Sequence, residues 1–339
     1  MKQSSLVVTI FQGILACVGL LSSCPVSSAL APSTECMSPR RGANAAVQST
    51  CLGTEHGGHK RTARIYVGRN VSGAAPLIFV LHGGEGSASA MEQLTRGAFN
   101  RIADRDGAIV VYPEGVGRHW NDGRDLPEIA ARENVDDVGF MLALVEDLAR
   151  DHALDRRRIF ATGISNGGFM SMRLACEAAS TFAAVAPVTA VLSEKLGSCC
   201  KPAQAVAVAI INGTDDPLVP WQGGMVKNLG VSRGAVWSAE RTFERWLEFD
   251  GCGGRSSAAR VDRIPHDKTS LIVHRGDSCH DGVGVRLYEI EGGGHTWPMG
   301  VAYASERLVG RVSQELDASE EIWQFMQANA KPTVGKASP

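Results

Sequence analysis

Leu77-Ile78-Phe79-Val80-Leu81-His82 is an unbroken apolar run that ends in glycines. A strand apolar at every position must be buried on both faces, and this confines the chain to folds in which helices cover both sides of a parallel sheet. Further strands are expected at 108–112, 158–162, 183–187, 205–211 and 284–290, after an early strand at 64–67. Between them, helical spacing covers 91–104, 134–151, 166–177, 238–248 and 319–327; within 134–151, Val138, Met141, Leu142, Val145 and Leu148 share one face. The alternation predicts an α/β architecture with a mostly parallel central sheet and helices on both faces. No internal repeat or second compact module is expected. The reading assigns 1–31 to an export signal, 32–60 to a loosely ordered lead-in, 61–330 to one catalytic domain and 331–339 to a tail.

Gly163-Ile164-Ser165-Asn166-Gly167 stands where the strand ending at Thr162 meets the next helix. Glycines relieve the crowding of a sharp strand-to-helix turn and leave the serine hydroxyl exposed above the sheet. The pattern occurs a second time, at Gly230-Val231-Ser232-Arg233-Gly234, but no buried strand precedes it. Ser165 is therefore the expected nucleophile. A serine hydroxyl needs a base, and the base needs an orienting carboxylate. The strand ending at Ile211 leads to Asp215 and Asp216, and the strand ending at Ile290 leads to His295, in the order Ser, Asp, His that suits this topology. Leu81-His82-Gly83-Gly84-Glu85-Gly86 follows the first buried run, where backbone N–H groups can face a developing oxyanion. The expected donors are the N–H of Asn166 and that of Gly84, in preference to Gly83. His82 is read as a loop support.

The N-terminus has the marks of export: Lys2, an apolar stretch over Leu6–Leu21, and Ala29-Leu30-Ala31 as a cleavage site before Pro32. Leu21-Ser22-Ser23-Cys24 overlaps it as a lipobox, so an extracellular or periplasmic location stands beside a lipid anchor at Cys24. The stretch is shorter than a membrane span requires. Two of the nine cysteines, Cys17 and Cys24, lie in this region; the other seven lack zinc-site spacing and suit disulfides in an oxidising compartment. A formal net charge of -2 without a dense basic stripe excludes nucleic acid as the expected partner, and Lys60–Arg64 reads as a solvated strand start. His56-Gly57-Gly58-His59 reads as a polar loop rather than a metal site. No metal, cofactor or membrane partner beyond the possible anchor is expected.

With these motifs assembled, the chain resembles extracellular polyhydroxybutyrate depolymerases and the feruloyl and acetylxylan esterases of the α/β-hydrolase superfamily. The resemblance runs over about 61–328 and is carried by Leu81-His82-Gly83-Gly84, Trp120-Asn121-Asp122, Gly163–Gly168, Gly213–Trp221 and Gly294–Pro298. It implies Asp216 rather than Asp215 as the acid, and disulfides Cys176–Cys200 and Cys252–Cys279. Cys36–Cys51 is then possible, with Cys199 left over. Glu85 departs from the Gly or Cys common at its position. The implied activity is carboxylic-ester hydrolysis through an acyl-enzyme; the alternatives are a serine peptidase on the same fold and a non-catalytic binding protein. Trp120, Trp221 and Trp297 are expected to flank substrate. Hydroxybutyrate oligomers and acylated polysaccharide both remain as substrates, and the lack of a linker to a separate binding module favours soluble esters or oligomers over granules.

Overall fold

In the computed structural model, which describes residues 49–332 apart from 229, Leu77, Phe79 and Leu81 enter one apolar core while Ile78 and Val80 enter another. Successive side chains of a strand point to opposite faces, so the continuous run fills both sides of a sheet. The strands are β1 (Ser49–His56), β2 (His59–Val67), β3 (Ala75–Leu81), β4 (Ile109–Pro113), β5 (Leu154–Ile164), β6 (Ala184–Val188), β7 (Ala207–Gly213), β8 (Gly224–Asn228), β9 (Val231–Val236), β10 (Gly254–Ser257), β11 (Ser270–Asp277) and β12 (Val285–Glu291). The helices are α1 (Ala88–Leu94), α2 (Ala98–Asp106), α3 (Ile129–Arg132), α4 (Asp137–Asp151), α5 (Asn166–Glu177), α6 (Glu194–Cys199), α7 (Ala239–Phe249), α8 (Glu306–Val309) and α9 (Ala318–Ala328).

Ten strands form one sheet in the order β1-β2-β4-β3-β5-β6-β7-β12-β11-β10. Its middle, from β4 to β12, is parallel, and antiparallel strands close both margins. One core holds Phe140, Phe169, Phe243 and Trp246 from α4, α5 and α7; the other holds Phe99, Ile322 and Trp323 from α2 and α9. The expected α/β-hydrolase architecture is present. The chain runs from β3 to β4 on one side and then to β5 on the other, so the strand order reverses at β3. Ligand crevices in open α/β sheets open at such a reversal, beyond the carboxyl ends of the strands.

The structure departs from the sequence reading at the margins. Residues 49–59 were expected in a loose lead-in but form β1 and its turn, paired to β2 from Ser49↔Tyr66 to His56↔His59. Gly57 and Gly58 have φ of 57° and 78°, the left-handed pair that a tight hairpin needs. An edge strand half open to water carries no apolar run, and so gives no signal. The helix expected over 91–104 is two, α1 and α2, because Arg96 and Gly97 turn left-handed and Thr95 Oγ1 donates to the carbonyls of Met91 and Glu92. Arg61, read as solvated, is buried: it pairs with Asp137 Oδ1 at 2.6 Å and lies 3.9 Å over the Phe140 ring. Burial pushes the Asp137 carboxyl pKa up.

Cys176–Cys200 and Cys252–Cys279 are disulfides, and Cys199 is free and exposed. Cys51 is disulfide-bonded. Cys36, the export segment with Cys24, and most of the tail lie outside the described residues. Among the described residues no helix is long and apolar enough to cross a membrane.

Candidate active site

Four loops converge because their strands are neighbours. Leu81, the last residue of β3, pairs with Gly163 near the end of β5, which sets the 82–86 loop beside the turn at Ser165. Gly213 of β7 pairs with Ile290 of β12, so residues 216 and 295 leave adjacent strand ends.

Ser165 has φ 53° and ψ -120°, a strained conformation for a residue with a side chain, at the N-terminus of α5. Its N–H is held by the Val188 carbonyl (2.9 Å) and Thr189 Oγ1 (3.1 Å). The turn tolerates only glycine on either side. A Cβ on Gly163 would lie 2.6 Å from the Gly167 carbonyl carbon, and one on Gly167 would lie 2.4 Å from the Leu81 oxygen. The second pentapeptide sits in the exposed β8–β9 hairpin, and Ser232 Oγ donates to Met225 Sδ. No helix follows Ser232, so nothing lifts it into a crevice.

His295 Nδ1 donates to Asp216 Oδ2 at 2.8 Å, and both side chains are almost fully buried. The other carboxylate oxygen, Asp216 Oδ1, accepts the N–H groups of Leu218 and Val219, each at 2.8 Å. Asp215 points outward, with a 59% exposed side chain near Arg311. Tyr303, which carries no sequence signal, donates its hydroxyl to the His295 carbonyl at 2.6 Å and so steadies the imidazole loop. Ser165 and His295 line one cleft of about 430 Å³. Among the described residues no hydrogen bond joins their side chains, a looseness common before substrate is bound.

The oxyanion loop is oriented from below by His82. Its Nδ1 donates to the Gly83 carbonyl at 2.7 Å and its Nε2 accepts from Gly115 N–H at 3.0 Å, so hydrogen bonding fixes the neutral tautomer. Burial pulls the His82 pKa down to about 4. The Gly83 carbonyl also accepts from Gly86 N–H. In a trans peptide the N–H opposes the C=O, so the Gly84 N–H is turned away from His82, and Gly84 lines the cleft. Asn166 is the first residue of α5, where backbone N–H groups lack helical partners. Neither N–H has an acceptor among the described residues, and Glu85 N–H is already taken by Arg118. Glu85 itself stands at the rim, left-handed at φ 58° and 76% exposed.

The three tryptophans do not line the cleft. Trp120 is wholly buried; its indole N–H donates to the His82 carbonyl at 2.9 Å, and its backbone exchanges hydrogen bonds with the Asn166 amide. Trp297 packs edge-on to Phe99 and donates to Ser319 Oγ. Trp221 is half-buried against the core. Trp120 and Trp297 anchor loops, because a buried indole finds its best use where its N–H meets a carbonyl or hydroxyl. The wall is built instead from Met91, Leu94, Leu126, Leu218 and Val226, with a polar group of His119, Arg124, Glu128 and Arg233. Among the described residues no cluster of three His, Cys, Asp or Glu is disposed to hold a metal.

A part-exposed serine hydroxyl that shares a cleft with a buried imidazole backed by a carboxylate, beside backbone N–H groups without acceptors among the described residues, can attack a carbonyl and stabilise the resulting oxyanion. Comparison with known proteins agrees. Residues 65–218 match the family described as esterase PHB depolymerase. Feruloyl esterase B of Piromyces equi is 31% identical over 228 residues, 66% of this chain and 40% of that protein. Feruloyl esterase D of Neurospora crassa is 26% identical over 283 residues, 76% of this chain and 86% of that protein. Among solved structures, the acetyl xylan esterase of Aspergillus awamori superposes with a TM-score of 0.53 at 13% identity, covering 82% of this chain and 99% of that one. At that identity the likeness speaks for the fold alone.

Proposed function

We propose that the chain belongs with the polyhydroxybutyrate depolymerases and feruloyl esterases and that it hydrolyses carboxylic esters through an acyl-enzyme on Ser165. The observation that carries this reading is the buried Asp216–His295 hydrogen bond of 2.8 Å at the end of the cleft that Ser165 lines. Ser165 Oγ attacks the ester carbonyl carbon while its proton passes to His295 Nε2. The carbonyl oxygen becomes an oxyanion facing the N–H groups of Asn166 and Gly84. Asp216 keeps Nδ1 protonated and stabilises the imidazolium. Collapse of the tetrahedral intermediate breaks the acyl–oxygen bond, and His295 returns the proton to the leaving alkoxide. A water, deprotonated by His295, then releases the acid and restores Ser165.

The substrate is an ester of a hydroxyalkanoate oligomer or an acyl group on polysaccharide; the chain spans 40% of feruloyl esterase B, so that protein's substrate is not transferred whole. Export is part of the reading. It is supported by the disulfides Cys176–Cys200 and Cys252–Cys279, a kind of bond that persists in oxidising compartments.

A fluorophosphonate probe followed by peptide mapping tests the nucleophile: the label is expected on Ser165, and an unlabelled Ser165 would overturn the assignment. Matched esters and amides with one acyl group test the reaction class. Faster turnover of the amide would sink the esterase reading.

A further inference from the structure

Asp122 and Arg124 form a buried ion pair that the acyl-transfer steps do not use. Their side chains are 0% and 5% exposed. Arg124 Nε lies 3.1 Å from each carboxylate oxygen and Nη2 lies 2.5 Å from Oδ2, while the Arg124 backbone N–H donates to Oδ1 at 3.1 Å. The guanidinium also lies 3.8 Å over the Phe169 ring of α5, and its Nη1 donates to the Arg233 carbonyl. A buried ion pair is a weak source of stability. Withdrawing both charges from water costs about as much as their attraction returns, and well-packed apolar replacements are often no less stable. The use of the pair lies in what it touches.

It touches the oxyanion hole. Asn166 Nδ2 donates to Asp122 Oδ2 at 2.6 Å and to the Trp120 carbonyl at 3.0 Å, and Asn166 Oδ1 accepts the Trp120 N–H at 2.8 Å. Both amide hydrogens are spent, and an inverted amide would set its oxygen against two acceptors, so the side chain has one orientation. The loop that supplies these partners is itself pinned. Asn121 N–H donates to Asp137 Oδ2 at 2.7 Å, and Arg173 Nη1 donates to the Asn121 carbonyl at 2.5 Å. Asn166 is thus tied through its side chain to a rigid loop, and its Cβ stands 3.9 Å from where a Cβ on Gly84 would lie. The two oxyanion donors are neighbours. A donor is effective when its aim is fixed before charge develops, because no reorganisation is then needed during reaction. A lone carboxylate this near would oppose the oxyanion, and Arg124 cancels its charge.

We propose that Asp122, neutralised by Arg124, is a positioning residue of the oxyanion hole: it holds the Asn166 side chain and so aims the Asn166 N–H at the reacting carbonyl oxygen. The inference rests on the esterase reading above and deepens it.

The test follows p-nitrophenyl butyrate hydrolysis by the full-length enzyme, with a trifluoromethyl ketone of matched chain length as a probe whose Ser165 adduct carries an oxyanion. Outright loss of one oxyanion donor lowers kcat by about a hundredfold to a thousandfold, so a misaimed donor in Asp122→Ala should lower it by about tenfold to a hundredfold, with KM within about threefold of wild type. The inhibition constant of the ketone should rise by the factor that kcat/KM falls. Asp122→Asn, which keeps an acceptor for the Asn166 amide, should lose less. Asn166→Ala leaves the ion pair and the backbone N–H in place and breaks the same link from its other end, so it should reproduce the loss even if Asp122→Ala does not fold. The double variant should lose no more than the worse single one, because both substitutions remove one link. The proposal is overturned by undiminished kcat in either alanine variant, by a loss confined to KM, by unchanged affinity for the ketone, or by losses that multiply in the double variant. A wild-type enzyme that hydrolyses neither p-nitrophenyl acetate nor p-nitrophenyl butyrate would instead overturn the esterase reading, and this inference with it.

Discussion

Two pentapeptides of the same pattern meet opposite fates in this chain. Gly163–Gly167 lies between β5 and α5, with the β3 and β6 termini pressed against it; Gly230–Gly234 lies on a two-stranded hairpin outside the main sheet. At the first, each glycine answers a backbone oxygen or carbon within 3 Å of where a Cβ would stand. At the second, a Cβ on Gly230 would meet nothing within 4 Å, and one on Gly234 would come no nearer than 3.5 Å to Arg124. What makes a serine nucleophilic is the packing that strains it and the partners brought to it, and five letters specify neither. The hairpin copy contributes Arg233 to the cleft wall by a different route, as a side chain reaching over the edge.

The comparison can be broken most sharply at the two serines. Ser165→Ala should lower kcat on a soluble ester by about 10⁴-fold or more, because the hydroxyl is the attacking atom. Ser232→Ala should leave kcat within about twofold, as expected for an exposed surface change. Comparable losses in both would remove the distinction. The carboxylates give a smaller contrast of the same kind. Asp216→Asn should cost about 10⁴-fold in kcat by favouring the wrong His295 tautomer, whereas exposed Asp215→Asn should cost no more than a few-fold. Steady-state rates on purified, folded variants decide both.

Next come the glycines, read by urea unfolding. Gly167→Ala forces a Cβ to within 2.4 Å of the Leu81 oxygen and 2.5 Å of the His82 oxygen, so stability should fall by about 3 kcal/mol or more. Gly234→Ala meets only the left-handed strain of φ 84° and should lose about 1 kcal/mol. Equal losses would show that the elbow is no more crowded than the hairpin.

The pH dependence of stability probes the support beneath the first pentapeptide alone. His82, whose carbonyl abuts Gly167, has its pKa lowered by burial from 6.5 to about 4. The unfolded chain therefore binds the proton more readily than the folded one between those values. The contribution of His82 is complete above pH 6.5 and is lost as pH falls toward 4, so unfolding free energy should drop across that window. His82→Gln should flatten this part of the curve relative to wild type; an unchanged slope would mean that the histidine already carries a proton in the fold.

These contrasts also explain which parts of the molecule were legible in its sequence. His295 follows β12, whose apolar residues are interrupted by Arg286 and Glu289, but Ser165 and Asp216 follow stretches buried on both faces, and such stretches announce themselves as apolar runs. The margins do not. In β10 all four residues are exposed, and β11 has three consecutive apolar residues before His274-Arg275-Gly276-Asp277 turns polar. The tryptophans were misplaced because a buried loop anchor and a cleft wall call for the same residue; only the Trp120 bond to the His82 carbonyl tells them apart. Tyr303, Glu128 and Arg233 come to the cleft from a loop, a helix cap and a hairpin, none of which repeats with a period that a sequence can display.

The smallest effect is also the most discriminating, because the same substitution should change sign between the two copies. Ser165 holds φ 53° with a side chain, a conformation that costs about 1–3 kcal/mol and that glycine adopts freely. Ser165→Gly should therefore raise stability by about 1 kcal/mol while abolishing turnover, provided the hydroxyl makes no compensating bond. Ser232 is extended within β9, where glycine only adds freedom to the unfolded chain. Ser232→Gly should lower stability by about 0.5 kcal/mol and leave turnover intact. Denaturant midpoints measured side by side decide the matter: a loss of stability in Ser165→Gly would mean that the elbow holds its serine without strain.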